Sequence, residues 1–213
     1  MLKKFLLISA LSTLLATSAF SSPTFDLETL VNETSVTLEM GCSGEVVGQK
    51  HILTAAHCFR GWKKDTVWVS LPNGTLTYAY VKNVDTQTDL ALVFVPGAKF
   101  DSPLRLAFSE PRLGDDVWCI GNPLGGPQPD TVSKGVISHT KRKSTVTPGE
   151  RRYQYDCYAH PGSSGGMVLN TRGELISVIT EGFVMRMTQV GSSFTYGVTL
   201  PTIKAFLKKW ITV

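Results

Sequence analysis

Cysteine is scarce in this chain, four residues in 213, and no two stand in C-x-x-C spacing, which speaks against a thiolate metal site. No metal or other cofactor is expected. There is no nucleotide-binding glycine motif, no internal repeat and no coiled-coil heptad. Charge of either sign is not in excess: 21 Lys and Arg stand against 17 Asp and Glu, a formal +4 that falls to +2 without Lys3 and Lys4. Net charge therefore names no partner, and nucleic acid is not expected as one. The apolar run from Phe5 to Leu15 is interrupted by Ser9, Ser12 and Thr13 and is too short to span a bilayer, which takes ~20 residues.

What that run does fit is a leader. M-L-K-K, the apolar stretch and the small residues Ala16, Thr17, Ser18 and Ala19 are the three parts of a secretory signal peptide, expected over residues 1–21. The domain then occupies 22–213, is secreted or periplasmic, and has no membrane anchor once the signal is removed. In an oxidising compartment four cysteines favour disulfides. Cys42 with Cys58 is the best pair, closing a loop across two neighbouring strands; Cys119 and Cys157 pair by elimination.

Helical periodicity is missing until the C-terminus. Short runs rich in Val, Ile, Thr and Tyr alternate with turn residues such as Pro72-Asn73-Gly74, Gly121-Asn122-Pro123 and Thr171-Arg172-Gly173. Strands are expected at 35–38, 43–47, 51–54, 66–71, 75–83, 90–96, 116–120, 131–139, 153–158, 166–170, 175–181 and 196–200. This is an all-β chain that closes into barrels or a sandwich. Residues 100–114 read as a connection between two halves, about 34–100 and about 113–200. From Ile203 the spacing Ile203, Phe206, Leu207, Trp210, Ile211 predicts a short amphipathic helix over 202–211, capped by Thr202. Lys141, Arg142, Lys143, Arg151 and Arg152 cluster around a segment that reads as an exposed hairpin loop.

Three patterns carry chemistry: T-A-A-H-C at 54–58, T-D-L-A-L at 88–92 and G-S-S-G-G at 162–166. A serine hydroxyl is a weak nucleophile that needs a neighbouring base, and the oxyanion it generates needs preorganised donors. Ser164 sits in a glycine loop before an apolar strand, where the amides of Gly162 and Ser164 can converge if Gly162 takes a conformation closed to larger residues. His57 supplies an imidazole, the side chain whose unperturbed pKa lies near neutrality, and a Cys42–Cys58 bridge would stiffen its loop. Asp89 opens the apolar run Leu90 to Val95, so its carboxylate needs a buried partner, which the second ring nitrogen of His57 can supply. Asp85, Asp65 and Asp156 lack that position, although Asp85 is near.

Jointly, H-I-L-T-A-A-H-C, T-D-L-A-L and P-G-S-S-G-G resemble the motifs of the trypsin-like, chymotrypsin-fold serine proteases, in their His, Asp, Ser order. I-G-N-P-L-G at 120–125, T-V-S-K-G-V-I-S at 131–138 and N-T-R-G-E-L-I-S-V at 170–178 resemble the bacterial HtrA-like branch, without a PDZ domain after residue 200. The resemblance implies two six-stranded Greek-key β-barrels packed together, with a short C-terminal helix. His57 and Asp89 would come from the first barrel and Ser164 from the second, with an oxyanion hole at Gly162 and Ser164 and hydrolysis of protein or peptide substrates through an acyl-enzyme. It further implies a substrate pocket lined by Tyr158, Ala159 and His160, by Thr180, Glu181 and Gly182, and by Gly197. Tyr158 would stand where trypsin-like members carry the acid at the pocket base, so Arg/Lys specificity is not implied and small or medium apolar residues are favoured. Ser163, and the lack of an I-V-G-G cleavage site, argue against zymogen activation by a new N-terminus. The competing reading is a catalytically idle barrel that binds a partner through the basic 141–152 region.

Overall fold

The protein is described by a computed structural model over residues 25–125, 129–184 and 193–211; the expected signal peptide lies outside these. Twelve strands form two closed barrels. The first comprises β1 (Ser35–Leu38), β2 (Ser43–Gly48), β3 (His51–Ala55), β4 (Thr66–Ser70), β5 (Leu76–Asp85) and β6 (Leu90–Phe94), in the order β1-β2-β3-β6-β5-β4. The second comprises β7 (Asp116–Gly121), β8 (Thr131–Lys143), β9 (Arg151–Tyr155), β10 (Met167–Leu169), β11 (Leu175–Val184) and β12 (Ser193–Val198), in the order β10-β11-β12-β9-β8-β7. Every pairing is antiparallel, and closure removes the exposed edges that short strands would otherwise present.

All twelve strands fall where the β-branched runs and turn residues place them, with ends that differ by a few residues. Two helices frame them. α1 (Leu27–Thr34) goes against the expectation of no helix before the C-terminus: at eight residues it is too short to show periodicity. It forms because Asp26 caps it, its Oδ1 accepting from the Thr29 N–H at 3.1 Å, and because Val31 is buried between the barrels. α2 (Leu200–Trp210) begins earlier than expected. Thr199 is its N-cap residue, Pro201 stands in its first turn, and Thr202 lies inside the helix, where its hydroxyl meets that of Thr199 at 3.0 Å.

Both helices cover the seam between the barrels. There Leu53, Leu90 and Leu92 of the first barrel meet Ile120, Met167 and Val198 of the second, joined by Ile203, Phe206 and Leu207 of α2. The basic hairpin also departs from expectation. β8 runs on to Lys143, so Arg142 pairs with Arg152 and Lys143 with Arg151 across a two-stranded ladder. Arg152 is fully buried rather than part of a solvated loop.

One buried carboxyl stands out at the seam. Glu45 is opposite Ser35 and Leu53 in the ladder, and directly opposed residues share a face, which puts Glu45 on the side that packs against the second barrel. It is wholly buried and neither carboxyl oxygen has a hydrogen-bond partner among the described residues. Burial pushes this carboxyl well above its ordinary value of 4.5, with no charged neighbour offsetting it. Above pH 4.5 the unfolded chain releases this proton while the folded chain keeps it, so stability falls as pH rises, by about 1.4 kcal/mol per unit, until the folded carboxyl itself ionises. Glu45→Gln is therefore expected to gain thermal stability over wild type progressively between pH 5 and pH 8. A melting-temperature difference that stays flat across that range would count against it.

Candidate active site

The turn that carries His57 follows β3 directly, a single 3-10 turn over Ala56–Phe59. The Cys42–Cys58 disulfide, with Cα atoms 6.3 Å apart, ties its middle to the start of β2. A loop closure of this length contributes ~3 kcal/mol on the chain-entropy estimate and holds the imidazole's backbone in one place.

Asp89 is 2 % exposed and sits at the end of the turn between β5 and β6. Its φ of +63° is in the left-handed region, unusual for a residue other than glycine. That conformation turns both its carbonyl and its carboxylate toward the His57 turn. The Asp89 carbonyl accepts from the Ala56 N–H at 3.2 Å, and Oδ1 accepts from the His57 N–H at 2.8 Å. His57 Nδ1 then lies 2.9 Å from Oδ2 and 3.2 Å from Oδ1. An ionised carboxylate can only accept, so the ring proton belongs on Nδ1 and Nε2 keeps its lone pair on the solvent side of a ring that is 26 % exposed. Asp85 is differently employed: its Oδ1 accepts from the N–H groups of Gln87 and Thr88, capping the same turn.

The glycine loop of the second barrel is stitched onto these strands. The Ser164 carbonyl accepts from the Ser43 N–H at 2.8 Å and lies 4.0 Å from Cys58 Sγ, next to His57 in sequence. The Ser43 hydroxyl donates to the Gly162 carbonyl at 2.8 Å and accepts from the Asn122 N–H at 2.7 Å. Gly165, at φ +84°, has the Ser43 carbonyl and Thr54 Oγ1 where a Cβ would stand, so only glycine allows the loop to press this closely on β2 and β3. Ser164 itself stays partly open to solvent.

Beside it, the Pro161 carbonyl accepts from the Leu124 N–H at 2.7 Å. In a trans peptide the N–H points opposite to the carbonyl, so this bond turns the Gly162 N–H away from Leu124. Gly162 follows at φ +101°, with the backbone of Asn122, Leu124 and Gly125 filling the space of a side chain. Among the described residues no protein acceptor takes the N–H of Gly162 or of Ser164, whereas Ser163, Gly165 and Gly166 all donate to carbonyls. Two unpaired amides two residues apart in such a loop can seat a developing negative charge.

The residues expected around the substrate differ in their placement. Tyr158 is two-thirds exposed and its ring stacks parallel on that of His160, 6.3 Å between centroids. Across from them is Gly182, whose nearest neighbour for an added Cβ is the Ala159 carbonyl at 4.0 Å. Thr180 is buried with its hydroxyl unpaired. Glu181 turns its carboxylate away into the β8–β9 hairpin, accepting from the Ser144 and Thr145 hydroxyls, with Arg152 Nε at 3.3 Å. Gly197 packs inward: a side chain there would meet Ser177 Oγ, the Val178 carbonyl and the Tyr155 hydroxyl. The second disulfide, Cys119–Cys157, bridges Cα atoms 6.2 Å apart just before Tyr158 in the chain.

Sequence reasoning missed Ser43, Leu124 and Arg152. Ser43 and Leu124 act through backbone partners far along the chain, for which a sequence carries no signal. Arg152 was hidden among four other cations. Among the described residues no three His, Cys, Asp or Glu side chains form a group that could hold a metal, and no helix is long and apolar enough to cross a membrane.

Two six-stranded antiparallel barrels, with a His–Asp pair from one and a serine-bearing glycine loop from the other, define a protein of the chymotrypsin-like class. Residues 42–178 match the trypsin-like peptidase domain, and the chain belongs to that family. It is 31 % identical over 134 residues to the serine protease Do-like HtrA of Lactobacillus helveticus, covering 62 % of this chain and 32 % of that protein. With the serine endoprotease DegS of Escherichia coli (strain K12) it shares 32 % over 143 residues, 66 % of this chain and 37 % of that one. The solved structure of the HtrA-type protease AlgW with a decapeptide superposes with a TM-score of 0.68 at 27 % identity, covering 79 % of this chain and 50 % of the other. The chain thus spans about a third of the length of the first curated relatives it matches.

Proposed function

We propose that this chain is an exported serine endopeptidase that cleaves protein or peptide substrates with Ser164 as nucleophile, His57 as general base and Asp89 as the group that orients the histidine. The observation that carries the reading is the docking of the Ser164 loop, through Ser43, onto the strands that hold the His57–Asp89 pair, with two amides left unpaired beside the serine.

In this reading Ser164 Oγ attacks the scissile carbonyl carbon as its proton passes to His57 Nε2. Asp89 stabilises the imidazolium, and the oxyanion takes hydrogen bonds from the Gly162 and Ser164 amides. The tetrahedral species collapses as His57 returns the proton to the leaving amine nitrogen, which departs. Water then repeats the sequence on the acyl-enzyme, releasing the carboxylic acid and restoring the serine. In this reading the primary pocket forms beside Ala159 and Gly182, and the Glu181 carboxylate, held in the hairpin by the Ser144 and Thr145 hydroxyls, supports a preference for small or medium apolar residues. Export is supported by the leader pattern and by two disulfides, which persist in oxidising compartments.

The test is labelling with a fluorophosphonate followed by peptide mapping, alongside digestion of an unfolded protein. A single adduct on the peptide containing Ser164 is expected, absent after heat denaturation. A folded protein that takes no label and cuts nothing would overturn the proposal.

A further inference from the structure

Arg152, on β9 of the second barrel, has no exposed surface. A guanidinium taken out of water needs partners on every side, and here they come from three separate parts of the fold. Nη2 donates to Thr147 Oγ1 of the β8–β9 hairpin and, at 3.2 Å, to the carbonyl of Thr88 in the first barrel. Among the described residues Nε makes no hydrogen bond and is met only by charge, 3.3 Å from Glu181 Oε1 on β11. Nη1 donates to the Arg151 carbonyl and lies 3.8 Å from Glu150 Oε2.

The Thr88 carbonyl is the informative partner. It belongs to the peptide that joins Thr88 to Asp89, and Asp89 is held in the left-handed region. A non-glycine residue stays there only when its surroundings over-determine it. The other restraints on this turn come from the first barrel itself: the Asp85 carboxylate on the Gln87 and Thr88 amides, the Ala56 amide on the Asp89 carbonyl, and the His57 amide on Asp89 Oδ1 at 2.8 Å. None of them touches the Thr88 carbonyl. Without a donor there, the Thr88–Asp89 peptide loses its one restraint from the second barrel, and the left-handed Asp89 is left to the bonds from the Ala56 and His57 amides, with more freedom for its carboxylate to tilt against His57 Nδ1.

We propose that Arg152 is a positioning residue for Asp89, a cation of the second barrel that clamps the Thr88–Asp89 peptide so that the carboxylate faces His57. Through Glu181 the same guanidinium ties that peptide to the wall of the substrate cleft. The inference rests on the proposed roles of His57 and Asp89, and its test includes a reading that needs no hydrolysis.

That reading is the proton between His57 Nδ1 and Asp89, followed by low-field 1H NMR in the Ser164→Ala protein with and without Arg152→Met. With Arg152→Met the signal is expected to shift upfield or to broaden through exchange with solvent. In the protein with Ser164 intact, Arg152→Met should lower kcat per fluorophosphonate-labelled site by about 10- to 100-fold, the scale of a misplacement near 1 Å, with a smaller change in KM for a short peptide. Arg152→Lys keeps a cation beside Glu181 and decides the question if the methionine variant does not fold. One ammonium cannot serve the Thr88 carbonyl in the same geometry, so a loss in the same direction is expected. A merely structural arginine would lower the melting temperature alone. An unmoved signal with kcat per labelled site within about twofold of wild type, in either folded variant, would overturn the proposal. Failure of the wild type to take label or hydrolyse anything would instead count against the endopeptidase reading, and the NMR comparison would still report on Arg152.

Discussion

Replacing Ser164 with alanine is expected to remove peptide hydrolysis by a factor on the order of 10⁶ and to abolish fluorophosphonate labelling, with the thermal transition close to that of wild type. The side chain is only partly buried and makes no hydrogen bond to another described residue, so its loss removes chemistry and little packing. The backbone contacts that dock the loop, from Ser43 to the Ser164 carbonyl and from Gly165 to the Ile179 carbonyl, are untouched by the substitution. His57→Ala is expected to cost about as much, because nucleophile and base act as a unit. The double variant should then be no worse than either single one. Measured as kcat/KM on one peptide, additive losses in the double variant would show that the two residues do not work together.

The second large effect is expected at Asp89. Asp89→Asn keeps the shape of the side chain but removes the charge that balances the imidazolium, and its amide can donate to His57 and so hold the wrong tautomer. The loss expected is on the order of 10⁴ in kcat, the scale of this change in a Ser-His-Asp triad. Asp85→Asn is the control within the same turn. The Asp85 carboxylate accepts from two backbone amides, a role the oxygen of asparagine also fills, so hydrolysis should change little. If Asp85→Asn proves the damaging change and Asp89→Asn the mild one, the orienting acid is Asp85. If neither matters, the triad reading fails.

The contact between His57 and Asp89, and the glycine loop that carries Ser164, were legible in the sequence because each residue lies in a short, self-contained pattern. T-A-A-H-C carries the histidine with the cysteine that stiffens its turn, T-D-L-A-L places an acid where a buried strand begins, and P-G-S-S-G-G supplies the glycines that an amide nest demands. The surroundings of the site were less legible. Tyr158 was expected at the base of the pocket, and its ring is two-thirds exposed and stacked on His160. Gly197 was expected on the pocket wall and packs against Ser177 and Tyr155. Whether a given strand residue faces a cleft or a barrel interior depends on bulges, such as the register shift between Ile179 and Glu181, that one sequence does not announce.

What the sequence determined by itself is local. Runs rich in Val, Ile, Thr and Tyr bounded by Pro, Gly and Asn set twelve strands, and the spacing of apolar residues after Ile203 set the terminal helix, because both follow from residues near one another in the chain. Tertiary structure alone decided the rest. α1 forms because Val31 finds the seam between the barrels, Glu45 is unpartnered because the same seam closes over it, and Arg152 is withdrawn from its cationic neighbours because Thr88, Thr147 and Glu181 converge on it. The physical reason is common to all three. Burial and hydrogen-bond partners are set by segments tens of residues apart, and they exist only once the two barrels have closed against each other.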